Sequence, residues 1–257
     1  MKNQIIPTKL ATLIGRSGSI LAALLLLATA AASSAQVLPP STLPYGLSYQ
    51  EWSTKWWQWS LEQSTDHLEL VGGPGICDGP ASQVRFLAGS LLSSGQAAIT
   101  NHVTVTDGTP LFFTILSVWD DNTGCPFTTF TAEQLRATVE GDWSAVTVTT
   151  CTIDGVPVAG LKNPTNTVYH VQSPFFSYTT AERGNVLAGI FGDTCIGGGV
   201  TIYPAVADGV YLMLSPLKPG KHTIHTIGVV GPLASPYVVE DVTYDITVIK
   251  DSGCNRY

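Results

Sequence analysis

Four of the six tryptophans of this chain fall between Ser48 and Gln63, in SYQEWSTKWWQWSLEQ. No other stretch limits the fold as much. Ser48 is placed to cap a helix start and Glu51 to answer it three residues on, with Leu47 and Trp52 spaced as a hydrophobic staple. At about 100° per residue, Tyr49, Trp52, Trp56 and Trp59 form one stripe, which Trp57 and Leu61 widen. Glu51, Lys55, Gln58 and Glu62 share the opposite face, with Glu51 and Lys55 a favourable i,i+4 pair. The sequence therefore predicts an amphipathic helix with an unusually heavy apolar side.

Four indoles burying about 200 Å² each, at about 25 cal/mol per Å², are worth roughly 20 kcal/mol as an upper bound. A soluble monomer rarely leaves so large an apolar patch in water. The expectation is a helix that lids a β-sheet core. Trp57, at the edge of the stripe, and Trp59 are the two rings expected to stay partly exposed, and so the candidates for a ligand-stacking surface.

The first 35 residues have Lys2, Lys9 and Arg16, then the apolar run 20–32, then small residues to Ala35. That is the pattern of a secretory signal peptide, with cleavage expected after Ala35 and a secreted or periplasmic destination. The apolar run is short for a permanent anchor, and no later segment is long and apolar enough to span a bilayer. Removing 1–35 leaves 257 − 35 = 222 residues and takes away three basic residues and no acids, so 12 − 3 = 9 basic face 19 acidic residues. A net charge of 9 − 19 = −10 disfavours nucleic acid and anionic membranes as partners, since both need basic patches.

All five cysteines follow residue 35. Cys77, Cys125, Cys195 and Cys254 have turn-like surroundings, whereas Cys151 lies in the strand-like run AVTVTTCTI. In an exported chain this predicts two disulfides among the four loop cysteines, in any of three pairings, and a buried free thiol at Cys151.

Residues 36–46, rich in proline, read as an extended lead-in to a single β-sandwich-like domain over 47–257. Strand signals lie at 84–88, 98–106, 111–119 and 167–171, the second half-buried by its alternation and the third central because it is continuously apolar. Residues 146–158 read as a hairpin around Asp154-Gly155, with Pro157 keeping its second arm at an edge. Thr131 and Gln134 open a second short helix that Gly141 is expected to stop. Residues 210–214 and 221–230 are expected to pair antiparallel across SPLKPG, and Val242, Tyr244, Ile246 and Val248 to line one buried face. The fold class is mainly β, an antiparallel sandwich or jelly roll with a Trp-rich N-terminal helix and one further short helix.

Two blocks, YGLSYQEWSTKWWQWSLEQ (45–63) and ADGVYLMLSPLKPGKHTIHTIG (207–228), with CTIDGVPVAGL (151–161) between them, resemble a family of secreted bacterial proteins of unassigned function. The resemblance implies export and one recurring domain. It brings no catalytic residues.

Chemical motifs are sparse. His222 and His225 have HxxH spacing, but three residues apart in a strand they point to opposite faces and cannot share an ion. His67, His102 and His170 are isolated. The adjacent acids Asp120-Asp121 and Glu240-Asp241 read as solvated turns, and an EF-hand starting at Asp120 would put Cys125 where glycine is required. No nucleophile elbow, phosphate loop, dinucleotide fingerprint or zinc spacing occurs after residue 35. No cofactor or metal is therefore expected. The pattern favours a non-enzymatic secreted protein that binds an extracellular glycan or envelope partner. The alternative is an extracellular hydrolase or metal-dependent enzyme with a site assembled from distant loops.

Overall fold

The computed structural model describes residues 36–73, 84–90, 98–123, 129–192 and 194–250. Its strands are β1 (Val71–Gly72), β2 (Arg85–Leu87), β3 (Ile99–Thr106), β4 (Leu111–Asp121), β5 (Val146–Ile153), β6 (Val156–Pro157), β7 (His170–Gln172), β8 (Phe176–Thr179), β9 (Thr201–Leu214), β10 (Gly220–Val230) and β11 (Val238–Ile249). The helices are α1 (Tyr49–Leu61), α2 (Ala132–Trp143) and α3 (Val186–Phe191). One sheet runs β1-β2-β4-β9-β7, with β8 also on β9, and the other runs β3-β11-β10-β5-β6. The two pack face to face around Phe113, Ile115, Val210, Leu212, Ile224, Tyr244 and Ile246. The mainly-β sandwich expected from the sequence is thus observed. Most pairings are antiparallel, but β2–β4 and β3–β11 are parallel, so both sheets are mixed.

Both capping boxes expected from the sequence form. The Ser48 hydroxyl accepts from the Glu51 N–H and the Glu51 carboxylate accepts from the Ser48 N–H, and Thr131 and Gln134 repeat the arrangement at α2. Asp154 and Gly155 both take positive φ in the β5–β6 turn, as a type I′ hairpin requires. Gly141 does not stop α2: two further residues bring Trp143 into the core between the sheets. That burial outweighs the roughly 1 kcal/mol that an interior glycine costs a helix. Val186–Phe191 forms α3, capped by the Asn185 side chain, which accepts from the Ala188 N–H.

The expected pairing of 210–214 with 221–230 does not occur. β9 pairs with β4, β7 and β8, and β10 pairs with β11 and β5, in the opposite sheet. Residues 215–219 carry the chain across the sandwich, with Leu217 buried in the core as they pass. The reason lies in β9, which is apolar on both faces. One face needs the second sheet and the other needs α1, so the next strand must cross layers.

α1 lies on the outer face of the first sheet. Tyr49, Trp52, Trp56, Trp57 and Leu61 pack there with Phe86, Phe112, Tyr178, Tyr211 and Met213. The Tyr49 hydroxyl donates to the Leu38 carbonyl (2.7 Å) and accepts from the Met213 N–H (2.9 Å). This ties the lead-in, whose Val37 bridges Leu214, to β9. From Pro40 the lead-in departs from the expected extended path: Pro40–Thr42 and Pro44–Gly46 form 3-10 turns on either side of Leu43, which takes positive φ. α2 covers the far end of the inner face through Leu135 and Val139 against Val206.

Candidate functional site

The tryptophans of α1 divide by what their N–H groups do. Trp52 Nε1 donates to the Pro44 carbonyl (2.9 Å), Trp56 Nε1 to the Leu87 carbonyl (2.9 Å) and Trp57 Nε1 to the Tyr211 hydroxyl (2.8 Å). Trp57, expected to be partly exposed, is only 3% exposed. Its ring packs 4.9 Å from that of Trp119 and offers no face to a ligand. The sequence missed this because both partners come from strands far along the chain.

Trp59 differs. It is half-buried, packs on Phe86 and Trp56, and its Nε1 has no hydrogen-bond partner among the described residues. The indole lies directly on strand β1: a Cβ at Gly72 would come within 2.1 Å of Nε1. Beside the ring is an open hollow of about 320 Å³, lined by Trp59, Glu62, Gln63, Ser64, His67, Glu69 and Ala181.

The walls of this hollow follow from how α1 ends. Glu62 caps the helix and its carboxylate accepts from the Thr179 N–H (3.1 Å). The Gln63 side chain accepts from the Glu69 N–H (2.6 Å), so the turn after the helix folds back beside it. The Ser64 hydroxyl donates to the Arg183 carbonyl (2.8 Å), which holds the turn against the segment containing Ala181. An aromatic ring, two carboxylates, an amide, a hydroxyl and an imidazole thus share one depression. Chemically this is a surface for an apolar ring face edged with hydroxyl or amino groups.

A second polar group lies under α2. The Asp208 carboxylate, 1% exposed in mid-β9, meets His170 Nε2 and accepts from Gln172 Nε2 (3.0 Å), which also donates to Glu140 of α2 (3.0 Å). Trp143 stacks on the His170 ring at 4.8 Å and 13°. Among the described residues no serine or threonine hydroxyl and no cysteine thiol hydrogen-bonds the His170 ring, so the group has an oriented imidazole with no nucleophile on it. It serves to fasten α2 to β7 and β9.

The remaining polar candidates resolve into structural roles. His222 pairs with Asp154 and His225 with Asp241, each at 2.8 Å. Burial lowers the His222 pKa, but the Asp154 carboxylate and Lys218 carbonyl outweigh it and the net shift is upward. Asp120-Asp121 is not a solvated turn: β4 runs through both. Asp121 is buried and accepts from Tyr178 Oη (2.6 Å), Trp119 Nε1 (3.0 Å) and the Thr123 N–H (2.9 Å). Glu240-Asp241 likewise lies inside β11, with Glu240 accepting from the Ser90 hydroxyl. Among the described residues no three His, Cys, Asp or Glu are grouped to hold a metal ion.

Cys151 carries a free thiol in the inter-sheet core, and burial pushes its pKa up to about 12. Cys195, on the exposed turn after α3, carries no free thiol. Cys77, Cys125 and Cys254 lie outside the described residues. No helix among the described residues is long and apolar enough to cross a membrane.

No protein-family model and no curated protein matches this chain. Among solved structures, the solution structure of Amebosin aligns with 61% of this chain and 100% of its own at 9% identity. Its TM-score of 0.19 is too low to argue from.

Proposed function

We propose that this chain is a secreted or periplasmic, non-enzymatic protein that binds an extracellular glycan in the hollow beside Trp59. The observation that carries the reading is the contrast within α1. Three of its indoles are spent on internal packing and internal acceptors, whereas Trp59 stands half-buried at a hollow. A pyranose offers an apolar face to such a ring and a rim of hydroxyls to Glu62, Gln63, Ser64 and Glu69. In the same reading residues 1–35 are a signal peptide removed after Ala35, and Cys77, Cys125, Cys195 and Cys254 form two disulfides. The resemblance of the two sequence blocks to a family of exported bacterial proteins is in keeping with this reading.

Calorimetric titration of the exported protein with a panel of soluble oligosaccharides tests the reading, with intrinsic fluorescence as a second readout. At least one saccharide should bind and perturb tryptophan emission. Trp59→Ala should weaken that binding by about tenfold or more, about 1.4 kcal/mol, while far-UV circular dichroism is unchanged. Absence of saccharide binding, or full affinity in Trp59→Ala, overturns the proposal.

A further inference from the structure

We infer that the hollow beside Trp59 selects amino sugars bearing a free ammonium group over neutral and anionic saccharides. The inference rests on the glycan-binding reading and adds the charge of the ligand.

Two carboxylates, Glu62 and Glu69, line the hollow, and no lysine or arginine does. Neither pairs with a lysine or arginine among the described residues. Glu69 has only the exposed His67, at 3.7 Å. Glu62 is held in place by the Thr179 N–H through one oxygen, and its other oxygen has no partner among the described residues.

The backbone adds to this charge. The hollow sits at the C-terminal end of α1, where the last carbonyls give a partial negative charge that a cation relieves. Helices commonly place Lys or Arg there, but α1 has no basic residue in its last turn and has Glu62 at its cap. An acid at that position is unfavourable by a few tenths of a kcal/mol, which a bound cation would reverse. Trp59 supplies the third element, since an ammonium over an indole face gains cation–π attraction. A uronate in the same place would meet two carboxylates and the negative helix end. A second concave site among the described residues, lined by Val37, Ile153, Val156, Pro157, Val158, Ala159 and Tyr169, has none of these charges.

The test compares a β-1,4-linked glucosamine tetramer, its N-acetylated counterpart and a uronic-acid tetramer, titrated into the exported protein at low and at 0.5 M salt. The glucosamine tetramer should bind at least tenfold more tightly than the other two at low salt, and the margin should shrink in high salt. The Glu62→Gln, Glu69→Gln double variant, which keeps shape and hydrogen bonding, should lose most of the margin while still binding saccharide. Equal affinities for the three tetramers, or a margin that survives in the double variant, overturn the charge selection and leave saccharide binding standing. No binding of any tetramer or of the wider panel overturns both.

Discussion

Cys151 and Glu240 show what the interior of the sandwich does to single groups. Burial holds the Cys151 thiol at a pKa of about 12, and the thiolate is the reactive form. At pH 8 the folded protein should therefore show no iodoacetamide label at Cys151, and denatured protein should label there fully. Labelling of the native protein at the denatured rate would disprove the packing. Burial also raises the Glu240 carboxyl, with the Ser90 hydroxyl opposing only part of the shift. A carboxyl raised on folding stabilises the fold below the ordinary Glu value, and that contribution is lost as pH rises through the raised value. Between pH 4 and pH 7 the urea midpoint of the native protein should thus fall relative to that of Glu240→Gln. Parallel pH profiles for the two proteins would refute it. Neither Glu240 nor Asp121 was readable in the sequence as an inward acid, because their partners, Ser90 and Tyr178, are distant in the chain.

At the scale of elements, α1 separates what is local from what is not. Its start was legible because Ser48 and Glu51 answer each other within one turn. Its buried face was legible in outline from the 3.6-residue period. The division of labour along that face was not. Trp57 is claimed by Trp119 and Tyr211, and Trp59 is left out because Gly72 lets the ring lie flat on β1. Ser48→Ala should cost about 1 kcal/mol. Trp57→Ala should cost about 3–5 kcal/mol, since it empties a packed site and removes the indole N–H that donates to the Tyr211 hydroxyl. Chemical denaturation measures both, and a Trp57→Ala cost no larger than that of Ser48→Ala would mean the indole is not core. The same limit explains why β9 and β10, expected to pair, lie in different sheets. Alternation tells which side of a strand is dry, whereas the choice of sheet depends on what else must cover β9.

At the scale of the whole molecule, the two sheets approach tightly at Leu116. A register shift in β4 between Thr114 and Leu116 lets the consecutive Ile115 and Leu116 both enter the inter-sheet core. On the facing sheet the residue that meets Leu116 is Gly228, where a Cβ would come within 2.7 Å of the Leu116 Cβ. Gly228→Ala should therefore push the sheets apart and cost about 1–3 kcal/mol, read as a drop in Tm. A neutral or stabilising effect would show that the sheets have slack there.

β11 lies between β3 and β10, yet it is the final strand of the described chain, and its parallel partner β3 begins at residue 99. β3 therefore finds its partner in this sheet only once residues 238–249 have been made. Until that segment is made, β3 is an edge with no neighbour in its sheet, so the pairing that completes this layer joins its first strand in the chain to its last.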